Sequence, residues 1–128
     1  MNEDIDECVT RLLNYAYEHN VGFALTGDVE PDQPSAAYPS RRFIIVNTQW
    51  RDHQQLPYTI AHEIGHVING DPDVAYFHPS RNSMEGEANR FAVRLLHSLF
   101  EVEDSQRFIE NFHIPGYMSD YVREIYTK

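Results

Sequence analysis

Two histidines four residues apart, with a glutamate directly after the first, form the clearest chemical pattern in the chain: residues 62–66 read His-Glu-Ile-Gly-His. On a helix, residues four apart lie on one face, so His62 and His66 could bind one Zn²⁺ from the same side. Glu63 lies about 100° further round the helix, where it could act on a water molecule at the metal without ligating the ion. The pattern therefore predicts a catalytic zinc site with two histidine ligands and Glu63 as the general base.

A catalytic zinc ion needs a third protein ligand and an open position. The next predicted helix offers two acids, Glu85 and Glu87. The apolar stripe of that helix contains Ala88, Ala92, Leu95, Leu96 and Leu99. At about 100° per residue, Glu85 falls in the middle of this stripe, whereas Glu87 falls beside Arg90 and Arg94 on the solvated side. Because a carboxylate that faces a core is costly unless it is paired or binds a metal, we expect Glu85 to be the third ligand and Glu87 to be a surface charge.

Asn89 lies one helical turn after Glu85 and is also expected to face inward. Such a residue could hydrogen-bond the far ring nitrogen of a ligating histidine. Two simpler interpretations stay open. Asn82 and Glu85 have the spacing of a helix capping box, and Asn89 could be a buried amide that the backbone satisfies.

The elements that must position these residues follow from hydrophobic periodicity and from turn residues. Helices are predicted at Asp4–His19, from between Asp52 and Pro57 to Asn69, from about Ser83 to Leu99, at Asp104–Asn111 and at Ser119–Tyr126. Strands are predicted at Phe23–Thr26 and Phe43–Val46, with Glu30–Ser40, which contains three prolines, as an irregular loop. The expected fold class is α+β: a small single domain over residues 1–128, with an N-terminal helix, a small β-sheet, the HExxH helix and further C-terminal helices.

Size and charge limit the other functions open to the chain. Its 128 residues and 14.9 kDa suit one domain. Ten Lys and Arg against 20 Asp and Glu give a formal net charge of −10, which disfavours binding to nucleic acid or to an anionic membrane. The longest fully apolar run, Phe43–Val46, is far shorter than a membrane span. The single cysteine, Cys8, excludes a disulfide within the chain, and the acidic N-terminus does not look like a signal peptide, so we expect a cytoplasmic protein.

Two stretches of the sequence resemble the ImmA/IrrE family of metallopeptidases. They are Tyr58-Thr-Ile-Ala-His-Glu-Ile-Gly-His66, and Glu85-Gly-Glu-Ala-Asn-Arg-Phe-Ala92 with the paired Leu95-Leu96. Together with the Phe43–Asn47 strand, the resemblance covers roughly Val21–Leu99. It implies a minimal zinc protease core of gluzincin type in which His62, His66 and Glu85 bind the metal and Glu63 is the base. The chain departs from the family at His97-Ser98, where Met-Pro commonly follows the leucine pair.

The resemblance also implies a role, since family members, often encoded by phages and mobile elements, cleave helix-turn-helix repressors and so relieve repression. The expected function is a zinc-dependent endopeptidase acting on a basic repressor, with no direct nucleic-acid or membrane partner. Two alternatives stay open: a zinc-containing protein that sequesters a repressor without cutting it, and a metallohydrolase of small amides. The acidic charge could attract a basic substrate, or could serve solubility alone.

The sequence leaves two further features of the expected site undecided. The group that stabilises the oxyanion has four candidates, Tyr38, Tyr76, His78 and His113. The strand Phe43–Asn47 either presents an edge to an extended peptide or is a plain core strand.

Overall fold

The computed structural model describes residues 4–73 and 79–127, which fold into five α-helices and a three-stranded sheet. The helices are α1 (Ile5–Glu18), α2 (Leu56–Asn69), α3 (Arg81–Leu99), α4 (Ser105–Phe112) and α5 (Ser119–Tyr126). The strands are β1 (Gly22–Thr26), β2 (Ala36–Tyr38) and β3 (Phe43–Asn47). Short 3₁₀ helices lie at Pro39–Arg41, His53–Gln55 and Gly116–Met118. The predicted α+β fold class is confirmed, and each predicted helix and strand is present with its ends within two residues of the predicted ones.

The sheet has the order β1-β3-β2, so the strand with the longest apolar run lies at its centre. β1 runs parallel to β3, from Gly22 beside Phe43 to Thr26 beside Asn47. β2 runs antiparallel to β3 on the other side. The idea that β3 presents an open edge is therefore wrong, because both of its edges are paired. β2 was not predicted, since its three residues lie in a proline-rich segment and become a strand only by pairing with β3.

The hydrophobic core lies between the sheet and the helices. α2 packs along α3 and also contacts α1, β2 and β3, so the HExxH helix is central to the fold. Its core-facing residues Ile60, Ile64 and Val67 are almost fully buried, as are Ile44 and Val46 of β3. Because these apolar residues share one face of α2, the opposite face is left for His62 and His66.

A buried amide orders the loop between β1 and β2. Asn47, only 1% exposed at the end of β3, donates from Nδ2 to the carbonyl oxygens of Glu30 (3.0 Å) and Gln33 (2.7 Å). Its Oδ1 accepts from the backbone N–H of Gln49 at 2.8 Å. The fixed loop then leads directly into β2.

Among the described residues, no helix is both long enough and apolar enough to cross a membrane.

Candidate metal centre

Three side chains from α2 and α3 converge on one point. Nε2 of His66 lies 3.2 Å from Nε2 of His62 and 2.8 Å from Oε2 of Glu85. The third side of this triangle, from His62 Nε2 to Glu85 Oε2, is 3.1 Å. Helical geometry brings the two histidines together, whereas Glu85 reaches them because α3 packs along α2.

The triangle fits a zinc ion. Tetrahedral ligands about 2.0–2.1 Å from zinc lie about 3.3 Å apart, close to the three distances found between these atoms. Two neutral imidazoles and one carboxylate are a donor set that catalytic zinc sites use. The two histidine side chains are 16% and 8% exposed and that of Glu85 is 39% exposed, so Glu85 is the most accessible of the three.

Asp71 contacts the ring of His66 at Nδ1, the nitrogen that does not take part in the triangle. Its Oδ2 lies 2.8 Å from Nδ1 of His66, which leaves Nε2 facing the other two ligands. The end of α2 places it there, since Gly70 has a left-handed φ of 70° and the Asp71 N–H donates to the carbonyl of His66 at 3.1 Å. This is a Schellman ending, which folds the chain back over the last helical turn. Sequence reasoning missed Asp71, although the Asn69-Gly70-Asp71 ending carried the signal.

Asn89 does not have the role predicted for it. Its Oδ1 accepts a hydrogen bond from the hydroxyl of Tyr58 at 3.0 Å, and the histidine-holding contact predicted for it is made by Asp71 instead. Asn89 faces α2 as expected, but it lies one turn beyond Glu85, and so reaches the turn of α2 that precedes His62. Nδ1 of His62 is buried and has no hydrogen-bond partner among the described residues.

The cluster has the electrostatics of a cation site. Hydrogen bonds from His62 and His66 hold the pKa of Glu85 well below its usual range. Burial lowers the pKa of His66, but its hydrogen bonds with Glu85 and Asp71 outweigh burial and raise the pKa to about 9. The carboxylates thus attract positive charge to the ring nitrogens, where protons and a metal ion compete for the same lone pairs.

Glu63 lies beside this triangle without belonging to it. It lines the same cleft as His62, His66 and Glu85. It also lies on α2, the helix that carries the two histidines. Burial raises its pKa to about 7, the nearby charge of Glu85 adds to this rise, and the two histidines oppose it. A carboxylate so placed can take up and release a proton near neutral pH.

A cleft of about 860 Å³ opens in front of these residues. Its walls come from the loop before β2, from β2 itself, from α2 and α3, and from the loop after α4. The lining from outside α2 and α3 includes Gln33, Pro34, Ala36, Tyr38, Trp50, Pro115 and Tyr117. The volume of the cleft lies within the range of about 300–1,000 Å³ that is typical of ligand-binding pockets.

The four oxyanion candidates have different positions. Tyr38 lines the cleft. His113 lies away from the cleft lining, with Nδ1 2.8 Å from Oδ1 of Asp52. Tyr76 and His78 lie outside the described residues. Sequence reasoning missed two tyrosines that line the cleft, Tyr58 and Tyr117. Tyr58 precedes His62 by four residues and its position on the same helix face could have revealed it.

Comparison with protein families gives one match. Residues 20–107 match the peptidase family M78 model, described as the IrrE N-terminal-like domain. The matched region contains the HExxH helix, Glu85 and the whole sheet, and it ends within α4. Comparison with curated proteins and with solved structures gives no significant match.

Proposed function

The chain belongs to the ImmA/IrrE family of metallopeptidases, and we propose that it is a zinc-dependent endopeptidase that cleaves a basic helix-turn-helix repressor. The observation that carries the proposal is the convergence of His62, His66 and Glu85 to within 3.2 Å of one another at an open cleft. A purely structural zinc site is normally closed by four protein ligands, whereas this group has three among the residues that the structure describes, and all three line a cleft.

In the proposed mechanism, His62, His66 and Glu85 would hold the zinc ion through Nε2, Nε2 and Oε2. When bound, such an ion acidifies a water molecule and polarises the scissile carbonyl. A carboxylate oxygen of Glu63 takes a proton from the attacking water and then delivers it to the nitrogen of the leaving amine. Asp71 keeps the proton of His66 on Nδ1, so that Nε2 remains free as a ligand atom.

The peptide would bind along β2. This strand lies at an edge of the sheet, and all three of its residues line the cleft. Its outward backbone N–H and C=O groups can pair with an extended segment, as in strand addition. An extended segment at this edge would lie in the cleft that Glu63 and the three candidate ligands also line.

The proposed substrate class rests on charge and on family membership. The formal net charge of −10 favours encounter with a basic partner, and a DNA-binding repressor is such a partner. A bound Zn²⁺ would offset only two of these ten charges. A protein that acts on a repressor would work in the cytoplasm, and the protein itself would need no contact with DNA.

The test is cleavage of purified basic helix-turn-helix repressors by the zinc-loaded protein, followed by gel and mass spectrometry. Glu63→Gln keeps all three ligands and should bind zinc normally, but it should lose about 10²–10⁴-fold in cleavage rate because the general base is gone. Glu87→Gln is the matched control, since Glu87 pairs with Arg90 on the exposed side of α3. This control should cleave as the wild type does.

Two results would overturn the proposal. If Glu63→Gln relieves repression in a reporter assay as fully as the wild type, the protein acts by sequestration and not by cleavage. If the zinc-loaded wild type hydrolyses short amides but no protein, the substrate class is wrong.

A further inference from the structure

Part of the cleft is built by residues beyond the family match. The match ends at residue 107, but the segment Asn111–Met118, here called the C-terminal wall, contributes Pro115 and Tyr117 to the cleft lining. This wall connects α4 to α5 and includes the 3₁₀ helix Gly116–Met118. The lining of the cleft therefore includes a segment that lies outside the residues matched by the family model.

Three hydrogen-bonded contacts join the C-terminal wall to residues 52–55, which lead directly into α2. Gln54 Nε2 donates to the carbonyl of Asn111 at 2.6 Å, and Gln55 Nε2 donates to the carbonyl of His113 at 2.9 Å. The ring of His113 contacts the carboxylate of Asp52 through Nδ1 at 2.8 Å. Because α2 carries His62 and Glu63, these contacts give the wall a fixed position relative to those two side chains.

Tyr117 is an exposed aromatic residue of this wall. It is 73% exposed although it lines the cleft, whereas Tyr58, its neighbour on α2, is only 4% exposed. Pro115 and Trp50 line the same cleft, and the Trp50 indole N–H is already used in a hydrogen bond to Gln55 at 3.2 Å. The aromatic faces left in the cleft offer apolar contact area.

We propose that the C-terminal wall is part of the substrate-binding cleft and that Tyr117 is a specificity-determining residue that packs against a bulky apolar side chain of the peptide. The proposal rests on the proposed endopeptidase function. It follows from three observations: Tyr117 is 73% exposed, it lines the same cleft as the three candidate ligands, and Trp50 and Pro115 are part of that lining. An apolar side chain that covers this ring removes both surfaces from water.

The test compares Tyr117→Ala, Tyr117→Phe and Tyr17→Ala with the wild type on a library of fluorogenic peptides in which one position at a time is varied. Tyr17 is the matched control, because it is a 79% exposed tyrosine on α1 that does not line the cleft. Binding is measured separately, with fluorescently labelled library peptides and the same substitutions placed in the Glu63→Gln background.

Tyr117→Ala should lower kcat/KM about tenfold for peptides with a bulky apolar residue at one position, through a higher KM and at nearly constant kcat. Peptides with alanine at that position should be cut at the wild-type rate. Tyr117→Phe should keep the preference, because it keeps the ring. Binding to the Glu63→Gln protein should weaken by the same factor as kcat/KM falls.

An unchanged cleavage profile for Tyr117→Ala, or an equal loss for every peptide, would overturn the role of Tyr117 and leave the endopeptidase function standing. A zinc-loaded wild type that cleaves no peptide and no repressor would instead overturn the proposed function.

Asp52→Ala tests the attachment of the wall without touching the cleft. It should weaken the same side-chain preference, and Asp52→Asn, which retains an oxygen that can accept from His113, should restore it. An unchanged preference in Asp52→Ala would show that this contact does not position Tyr117.

Discussion

The carboxylate of Asp71 lies 2.8 Å from Nδ1 of His66, and it reaches this place because Gly70 turns the chain back over the end of α2. The contact fixes both the orientation of the ring and the nitrogen that carries the proton. His66 is one of the three members of the triangle, and its Nε2 faces both His62 and Glu85. The end of the helix is thus part of the candidate metal centre.

Removal of this carboxylate should weaken metal binding while leaving all three ligands in place. We expect Asp71→Ala to bind zinc about 10–100-fold less tightly, because the His66 ring loses the group that orients it. Competition with a chromogenic chelator measures the affinity. Asp73→Ala is the control, because Asp73 also lies near the cleft but bonds to Ser40 (2.6 Å to its hydroxyl). Equal affinities of the two variants would contradict the role given to Asp71.

The two acids of α3 should differ sharply in their effect on metal content. Glu85→Ala removes a ligand and should reduce bound zinc from about one ion per chain to almost none after dialysis. Glu87→Ala breaks only an exposed pair with Arg90, and such pairs contribute little to stability. Elemental analysis of the purified variants gives the answer. Equal retention of zinc in both would show that Glu85 is not a ligand.

The buried amide of Asn47 should be important for stability. Asn47→Ala leaves the carbonyls of Glu30 and Gln33 and the N–H of Gln49 without their partner, which should lower the free energy of unfolding by about 1–3 kcal/mol. Urea denaturation measures the change. Asn14→Ala, at an exposed site on α1, should stay within about 0.5 kcal/mol of the wild type. A similarly small effect at Asn47 would mean that the loop is held by other contacts.

Two helical glycines should respond oppositely to alanine. At Gly86 a new Cβ would meet only the guanidinium end of Arg90 at 3.5 Å, so the better helix propensity of alanine should stabilise the protein by about 0.5–1 kcal/mol. At Gly65 the Cβ would lie 3.0 Å from the ring of Phe91, and the crowding should cost about 1–3 kcal/mol. Thermal unfolding of the two variants measures both effects. Stabilisation by Gly65→Ala would show that Phe91 moves aside freely.

The sequence predicted the parts of the site that depend on local geometry. His62, Glu63 and His66 owe their arrangement to the regular geometry of one helix, so their spacing in the sequence predicts that arrangement. The inward direction of Glu85 followed from the apolar stripe of α3 in the same way. The position of Asp71 could have been predicted in a similar way, because a glycine after the last helical residue brings the following residue back beside the last turn.

The remaining parts depend on contacts between distant segments, which no local pattern encodes. β2 exists only because three residues pair with β3, and this pairing gives the open edge to β2 and removes it from β3. Asn89 faces α2 as its helix phase requires, but its partner is Tyr58, since the packing of α3 on α2 sets which turns face each other. Tyr117 comes 55 residues after His62 and lines the same cleft because Asp52, Gln54 and Gln55 hold its segment there.

By itself, the sequence thus determined the α+β fold class, the helix that carries two histidines and a glutamate, and the inward direction of Glu85. The tertiary structure decided which strand lines the cleft, which groups contact the two histidines and which aromatic rings lie in the cleft lining. The physical reason is the range of the interactions: helix periodicity acts between residues three or four apart, whereas the cleft depends on how whole elements pack.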